Sequence, residues 1–175
     1  LLAISKKTKQ NKNKLSIGVA GSIYPYHPIN QIFDVIQNIN SENKLDKIYM
    51  NFYGSNNDLL TNLLNEKYCK LFDYVKLYPK LNTDELAKKL GENNILLLLN
   101  DYAYLGTKIF TYLAANRKII LCFKNDKEAN TLKEKYYIKI NNESNLQENL
   151  LRSVNGGTVV IDKDHLKKIL KDFII

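Results

Sequence analysis

The chain has 175 residues, 45% hydrophobic and 25% charged, a composition that fits one soluble globular domain. This length is too short for two full Rossmann-like halves, and apolar runs such as residues 95–99 are far shorter than the roughly 20 residues of a membrane span. The net charge is +8, but the lysines are scattered, with no zinc motif or RNP-type aromatic strand, so nucleic-acid binding is not expected. Weak attraction to anionic lipid headgroups is more compatible with this charge.

The first residues predict a linker rather than a folded element. Residues 1–14 end in a Lys/Asn/Gln run without an apolar period, which is typical of a solvated linker or a mobile terminus. Residues 1–4 are too brief for the apolar region of a signal peptide, and basic residues follow them. Because there is no initiator Met, we expect the chain to be part of a longer gene product, with one domain over residues 15–175.

From residue 15 the pattern alternates short apolar strands with amphipathic helices. The first unit is a strand at 15–20, a loop at 21–28 and a helix at 29–39, whose apolar side chains recur at helical spacing. The next two units comprise strands at 47–52 and 74–78, helices at 59–68 and 83–91, and loops at 53–58 and 79–82. Thr83 is the expected N-cap of the third helix, and Gly91 is its expected end.

The second half continues this alternation. Its predicted elements are strands at 94–99, 118–123 and 137–140 and helices at 107–115, 127–135 and 145–154. Gly156 and Gly157 then break the chain, and Asp162 is expected to cap a terminal helix. The apolar face of that helix carries Leu166, Ile169, Leu170 and Phe173.

Strands that are apolar on both faces and alternate with helices indicate a parallel sheet covered on each side. Six such units predict an α/β fold: a single Rossmann-like, doubly wound parallel sheet of about six strands with helices on both faces, in an order near 3-2-1-4-5-6. A ligand of such a sheet lies at the carboxyl ends of the strands, where strands one and four diverge. The loops 21–28, 79–82 and 101–107 would meet there.

The cysteines and histidines predict no disulfide, metal or complete catalytic set. Cys69 and Cys122 lie in apolar surroundings without a CxxC pattern, so we expect reduced core thiols and a cytoplasmic protein. No His/Cys/Asp cluster has metal-ligand spacing, no cofactor is expected, and His165 is expected on the polar side of the terminal helix. The chain has no G-x-S-x-G elbow, no converging carboxylate pair and no G-x-G-x-x-G after its first strand, which argues against an α/β-hydrolase, a glycosidase and a dinucleotide oxidoreductase.

The turn Gly106-Thr107-Lys108 is the strongest candidate for ligand binding. Gly106 lets the backbone approach a ligand, Thr107 can cap a helix or bond a phosphate oxygen, and Lys108 supplies a positive charge. The alternative is that Gly106 and Thr107 merely begin a helix while Lys108 points into solvent. A loop that leads from a buried strand into a helix N-terminus is a place where an α/β domain can hold a phosphate.

The segment around this turn also resembles the donor-binding half of nucleotide-sugar glycosyltransferases of the two-domain GT-B type, glycosyl transferases group 1. That half often carries a strand, a loop, the pattern K-hydrophobic-hydrophobic-E-Y-L-A and a strand near kPiil. The matching residues here are 108–114 (KIFTYLA) and 118–121 (KIIL). Retaining members usually present two glutamates eight positions apart, and the matching positions are Ala103 and Thr111. The second glutamate would bond the ribose hydroxyls of the donor; a threonine hydroxyl can make one such bond, but not a charge-assisted, bidentate one.

The same resemblance implies roles for the first loop of the domain. Gly21, Ser22 and His27 would lie against the donor's diphosphate, at a place where many members carry a basic residue instead of His27. The alternative, which we favour for His27, is an exposed loop histidine. Tyr24 and Tyr26 could form a wall against the sugar or base, with packing beneath the loop as the default expectation.

The loop after the third strand falls where the resemblance puts the pocket for the nucleotide base. Lys80 and Leu81 belong to this loop. Main-chain groups there would read the base edge, and an apolar side chain would stack on its face.

Taken as a whole, the resemblance implies the C-terminal, donor-binding half of a glycosyltransferase of the hexosyltransferase type. It would move a sugar from a UDP- or GDP-sugar to a glycan, lipid or other acceptor in bacterial surface polysaccharide synthesis, without a metal, because fixed dipoles and basic groups stabilise the leaving diphosphate. An acceptor-binding domain would precede residue 1, so the isolated half is expected to bind a nucleotide-sugar weakly and not to turn over. The expected location is the cytoplasm, with peripheral contact at the inner face of the membrane.

Two other classes of protein stay open. The first is a non-catalytic Rossmann-like interaction or scaffold domain with a decayed nucleotide-sugar site, which Thr111 and the missing basic residue at His27 support. The second is a flavodoxin-like or response-regulator-like switch, which is disfavoured because no acidic cluster ends the first strand.

Overall fold

The computed structural model describes residues 14–42, 46–54, 57–99, 111–112, 115, 117–122, 158–160 and 162–172. Six strands are present in this part of the chain: β1 (Leu15–Ala20), β2 (Ile48–Tyr53), β3 (Val75–Tyr78), β4 (Ile95–Leu99), β5 (Lys118–Cys122) and β6 (Thr158–Val160). The α-helices are α1 (Ile29–Ser41), α2 (Asp58–Glu66), α3 (Thr83–Gly91) and α4 (Lys163–Asp172), and a 3-10 helix covers Cys69–Leu71. Thr111 and Tyr112 are also helical.

The six strands form one parallel sheet in the order β3-β2-β1-β4-β5-β6. This confirms the predicted doubly wound α/β fold and the predicted order of its first five strands. Pairing is uneven across the sheet: β1 pairs with β2 along its whole length, whereas β1 pairs with β4 only at Ile17↔Ile95 and Gly18↔Leu96. The middle of β1 is therefore joined to the amino end of β4, and the carboxyl ends of the two strands form the switch point of the sheet.

Two hydrophobic layers cover the two faces of the sheet, and the strand sequences explain both. Alternate residues of a strand point to opposite faces, so Ile17 of β1 and Leu97 of β4 join the layer under α1, α2 and α4. Ala20 and Leu96 join the other layer, which lies against α3 and contains Tyr112. Because both faces are buried, these strands read as continuous apolar runs rather than as an alternation.

The carboxyl-terminal helix α4 packs on α1, as the predicted apolar face requires. Leu166 and Leu170 are fully buried. The Lys171 ammonium lies 2.7 Å from the Glu42 carboxylate at the end of α1, and this contact lowers the pKa of Glu42. The prediction that Asp162 caps the helix is confirmed, since its carboxylate accepts a hydrogen bond from the His165 N–H at 2.8 Å.

Several local predictions were wrong. The N-cap of α3 is Asn82 rather than Thr83: the Asn82 side chain accepts a hydrogen bond from the Glu85 N–H, and Thr83 is the first helical residue. The strand β6 at Thr158–Val160 was not predicted. Cys69 is exposed on the 3-10 helix, not a core thiol, because the neighbouring Leu71 takes the buried position.

Other predicted elements fall outside the described residues. These are the linker at 1–14 except for its last residue, the helices 127–135 and 145–154, the strand 137–140, and most of the helix 107–115.

Candidate functional site

The hydroxyl of Tyr112 lies at the switch point between β1 and β4. It accepts a hydrogen bond from the backbone N–H of Ala20 at 2.7 Å and donates one to the backbone carbonyl of Leu97 at 3.1 Å. Ala20 is the last residue of β1, so the phenol bridges the two strands just beyond the point where their register pairing ends. Tyr112 is fully buried, and this burial raises the pKa of its phenol, which keeps the hydroxyl neutral as both donor and acceptor.

The backbone beside this bridge is held in a special conformation by glycine. Gly21 follows β1 with a φ of 103°, a left-handed value that side chains disfavour, and its N–H donates to the Tyr53 carbonyl at 2.8 Å. A Cβ built on Gly54 would lie only 2.3 Å from the Gly21 carbonyl oxygen. The backbones after β1 and β2 therefore touch, and neither glycine position accepts a larger residue without a shift.

Besides Gly21, the loop 21–28 carries the predicted site residues Ser22 and His27 at the carboxyl edge of β1. Ser22 is half-buried. His27 is buried, with 8% of its surface exposed, so the favoured interpretation of an exposed histidine was wrong. Its Nδ1 accepts a hydrogen bond from the Tyr24 N–H at 2.9 Å, which means that this nitrogen carries no proton. The default expectation that Tyr24 and Tyr26 pack beneath the loop was also wrong, because both side chains are exposed.

Helix α1 begins at the end of this same loop. Its N-cap position is Pro28, no side chain among the described residues caps it, and its first turn has no acidic residue. Within its N-cap position and first turn, α1 therefore has no side-chain anion to offset the partial positive charge of its N-terminus. The local electrostatics at this edge favour an anion.

The loop after β3 lies beside the same edge. The Gly54 N–H donates to the Tyr78 carbonyl at 3.3 Å, which joins the ends of β2 and β3. Leu81 is half-buried and packs against the layer that contains Tyr112, whereas Lys80 is exposed. The structure therefore gives Leu81 an apolar contact with the fold and leaves the charge of Lys80 at the surface.

Two stacked tyrosines connect β2 and β3 at their carboxyl ends. The rings of Tyr53 and Tyr78 are 4.9 Å apart with an interplanar angle of 20°. The Tyr53 hydroxyl accepts a hydrogen bond from the amide of buried Asn93 at 3.3 Å. Burial raises the pKa of Tyr53 to about 12. These contacts join the carboxyl ends of β2 and β3 between the first and third loops.

The structure describes only part of the predicted helix 107–115. Thr111 is half-buried, its carbonyl accepts the Ala115 N–H at 3.1 Å, and it directly precedes Tyr112. Thr111, which stands where the family pattern has its acidic residue, is therefore the sequence neighbour of the tyrosine at the switch point. Ala103, Gly106, Thr107 and Lys108 lie outside the described residues.

Basic and polar groups elsewhere in the described residues have structural roles. Arg117 donates to the Gly91 carbonyl at 2.6 Å and to the Asn93 carbonyl at 3.1 Å, so it satisfies the end of α3 at the opposite edge of the sheet. A polar groove of about 540 Å³ also lies at that edge, lined by residues such as Asn40 and Tyr74. Neither belongs to the switch point.

The described residues contain no cluster of His, Cys, Asp or Glu that could hold a metal ion. Among the same residues, no helix combines the length and the apolar character needed to cross a bilayer.

Comparison with solved structures identifies the fold. The chain is similar to WaaG, a glycosyltransferase involved in lipopolysaccharide biosynthesis, with a TM-score of 0.63 and 12% identity over 94% of this chain and 39% of that one. It is also similar to the C-terminal domain of the glycosyl transferase group 1 family protein LpcC from Francisella tularensis, with a TM-score of 0.59 and 12% identity over 97% of this chain and 78% of that one. The chain has the fold of a GT-B glycosyltransferase C-terminal domain.

The same fold occurs in a second class of enzyme. A protein described as a UDP-N-acetylglucosamine 2-epimerase from Listeria monocytogenes has a TM-score of 0.56 and 8% identity over 98% of this chain and 43% of that one. No family model and no curated protein matches the sequence. The chain spans about two fifths of the full-length WaaG and epimerase chains.

In this GT-B fold the important residue that sequence reasoning missed is Tyr112. The pattern K-hydrophobic-hydrophobic-E-Y-L-A contains a tyrosine at this position. The sequence signal was therefore present, but it was interpreted only as part of a helix and not as a hydroxyl that bridges two strands. Gly54 was missed as well, since it lay in a loop read only as turn-rich. A glycine directly after the second strand was the available signal.

Proposed function

We propose that this chain is the donor-binding half of a glycosyltransferase and that it binds a nucleotide-diphosphate sugar, a UDP- or GDP-sugar, at the carboxyl edge of its sheet. The observation that carries the proposal is the switch point itself, where Tyr112 bridges β1 and β4 next to the left-handed Gly21. Ligands of doubly wound sheets bind at this place. The names of the similar proteins support the ligand class, because the transferases and the epimerase all act on sugars.

The diphosphate is assigned to the Gly21 side of the crevice. Gly21 and Ser22 belong to the loop that leads into α1, and the N-cap position and first turn of this helix carry no acidic side chain. Gly106, Thr107 and Lys108 would complete the phosphate site from the other strand, as the family resemblance implies.

His27 contributes to this site by holding the loop rather than by its charge. Its Nδ1 is occupied as an acceptor of the Tyr24 N–H, and the side chain is buried. A basic residue at this position could have contacted phosphate directly. Lys108 would therefore supply the positive charge of the site, and His27 would hold the shape of the loop.

The nucleoside is assigned to the β3 side of the crevice. Leu81 would pack against the base, with the exposed Lys80 at its rim. As the family resemblance implies, Thr111 would make one hydrogen bond to the ribose from the position where the family carries an acid.

The reaction needs more protein than the residues of this chain. The chain spans 39% of WaaG. The family resemblance implies that a separate acceptor-binding domain helps to form the catalytic cleft. The proposed acceptor is a glycan or lipid of a bacterial surface polysaccharide, and the proposed location is the cytoplasm, at the inner face of the membrane. The isolated chain should bind donor and not turn over.

Titration calorimetry of the chain with UDP, GDP and ADP tests the proposal. Binding of UDP or GDP in preference to ADP supports it, and Lys108→Ala should weaken the binding. Lys70→Ala is the matched control, since Lys70 is exposed on the 3-10 helix at the other edge of the sheet. Equal losses in the two variants would refute the role of Lys108.

A scaffold domain with a decayed donor site is the second candidate. It is favoured by Thr111 in place of the acid and by the structural use of His27. Absence of binding to all three nucleotides at millimolar concentration would select this candidate.

A further inference from the structure

The polar groove at the amino edge of the sheet has no role in the proposed donor site. It lies between the second half of α1 and the segment that leads from the 3-10 helix into β3, and its volume is about 540 Å³. Small-molecule sites in proteins have volumes of roughly 300–1,000 Å³, so the groove is large enough for a small ligand. Carboxamide, hydroxyl, carboxylate and ammonium groups line it, together with the single aliphatic side chain of Leu71.

Part of this lining is already paired and held in place. The Asp34 carboxylate accepts a hydrogen bond from the Tyr68 hydroxyl at 2.8 Å, and the Lys67 ammonium lies 3.9 Å from the same oxygen. The Asn40 amide donates to the Ile48 carbonyl at 2.9 Å and accepts the Ile48 N–H at 2.8 Å. The negative charge of Asp34 is therefore balanced within the fold, and Asn40 acts as a fixed wall of the groove.

Three other side chains that line the groove have no polar partner within the described part of the chain. They are the exposed ammonium of Lys70, the half-buried amide of Gln37 and the hydroxyl of half-buried Tyr74. The Tyr74 ring packs on Tyr49 with a centroid distance of 5.5 Å, which leaves its hydroxyl as the part available to a ligand. The groove thus combines one unbalanced positive charge with two neutral groups that can each donate and accept hydrogen bonds.

We propose that this groove is a second ligand site, which binds a sugar acid: a pyranose that carries one carboxylate. Lys70 would pair with the carboxylate through a charge-assisted hydrogen bond. Gln37 and Tyr74 would bond the ring hydroxyls, because a sugar hydroxyl, like an amide or a phenol, both donates and accepts. The site is independent of the proposed function, since the groove and the switch point lie at opposite edges of the sheet.

The chemistry of the lining disfavours other kinds of ligand. A phosphate monoester carries nearly two negative charges, whereas the groove offers Lys70 against the Asp34 carboxylate and the carboxyl-terminal half of α1, which bears a partial negative charge. An apolar ligand would find only Leu71 and the Tyr74 ring to cover it. A ligand with one negative charge and several hydroxyls matches the groups that are present.

NMR titration of the full chain with three probes tests the site. The probes are galacturonate, its neutral methyl ester, and N-acetylglycine, a peptide-like carboxylate without ring hydroxyls. We expect galacturonate to shift the signals of Gln37, Lys70 and Tyr74 at millimolar concentration. The methyl ester should bind about fivefold more weakly, because an ion pair at an exposed lysine contributes a factor of this order. N-acetylglycine should also bind more weakly than galacturonate, since it lacks the hydroxyls.

Single variants assign the role of each group. Lys70→Gln should abolish the preference for galacturonate over its ester and leave the affinity for the ester unchanged. Gln37→Ala and Tyr74→Phe should each weaken both sugars about threefold, because each removes a neutral hydrogen-bonding group. Lys76→Gln is the matched control and should change nothing, since Lys76 is an exposed lysine of β3 that does not line the groove.

Several results would overturn the sugar-acid site. They are the absence of galacturonate shifts at the groove, equal binding of galacturonate and its ester, and a preference for the acid that survives in Lys70→Gln. Binding of N-acetylglycine as tight as that of galacturonate would assign the groove to a peptide carboxylate and also refute the proposal. None of these outcomes bears on UDP binding at the carboxyl edge, so the two sites can fail separately.

Discussion

The Tyr112 hydroxyl accepts the backbone N–H of Ala20 at a distance of 2.7 Å, across 92 positions of sequence. A side chain thereby takes a hydrogen bond that two paired strands would otherwise exchange. The bridge lets β1 and β4 part at their carboxyl ends without leaving buried polar groups unsatisfied. An opening that a ligand can use is thus compatible with a stable sheet.

Tyr112→Phe should destabilise the fold. The substitution keeps the ring but removes the partner of the Ala20 N–H and of the Leu97 carbonyl, both buried. Leaving such groups unpaired costs about 1–3 kcal/mol of the free energy of unfolding, measured by urea denaturation. Tyr49→Phe on β2 is the control and should cost much less, because this tyrosine is half-buried. An equal decrease in the free energy of unfolding for Tyr112→Phe and Tyr49→Phe would mean that the two hydrogen bonds of Tyr112 contribute no extra stability.

Gly54→Ala should also destabilise the fold, by a different mechanism. Its Cβ would meet the Gly21 carbonyl at 2.3 Å, and backbone cannot move aside without distorting the ends of β1 and β2. We expect a loss of about 2 kcal/mol or more in the free energy of unfolding. Gly18→Ala is a useful comparison, since its nearest atom is the Asn93 side-chain amide at 2.8 Å. The Asn93 amide can shift only at the cost of its own hydrogen bonds, but it is the end of a side chain rather than backbone. A larger loss for Gly18→Ala than for Gly54→Ala would therefore contradict this explanation.

Stability should fall at alkaline pH because of the buried phenols. Tyr53 has its pKa raised from 10.0 to about 12, so the unfolded chain loses this proton first as pH rises. The stabilisation is complete below pH 10 and is lost between about pH 10 and pH 12, by roughly 2 to 3 kcal/mol for this group. Denaturation of the wild type and of Tyr53→Phe at several pH values measures the difference. Parallel pH profiles for the two proteins would show that Tyr53 does not contribute.

Thr111→Glu should strengthen donor binding if the site works as proposed. The carboxylate would restore the charge-assisted bond to the ribose hydroxyls that the family pattern implies, a gain of about tenfold in affinity for UDP. Thr111→Gln, with the same length and no charge, should gain less. Calorimetry measures both. An unchanged or weaker affinity of Thr111→Glu for UDP would show that the side chain at position 111 does not contact the ribose.

The sequence determined the fold more completely than the site, for physical reasons. Continuous apolar runs such as Ile95–Leu99 predict buried parallel strands, because each residue faces one of two cores. The three residues Thr158–Val160 are too few to show a period, so β6 was missed. The order of the strands followed from a topological rule that applies to the whole class of fold.

The contacts of the site could not be predicted in the same way. The bond between Tyr112 and Ala20 joins distant parts of the chain, and no local pattern encodes it. The burial of His27 depends on two tyrosine rings that turn outward and on a turn that Pro25 helps to form. The contacts of polar side chains in loops depend on how distant segments pack together, whereas the period of apolar residues can be read directly from the sequence.

The most direct test of the donor-binding proposal is a backbone amide NMR titration of the chain with UDP. Donor binding at the carboxyl edge should shift Gly21, Ser22 and Tyr78–Leu81 and leave the groove residues Asn40 and Tyr74 at the opposite edge of the sheet unchanged. Shifts confined to that opposite edge, or none at millimolar UDP, would contradict it.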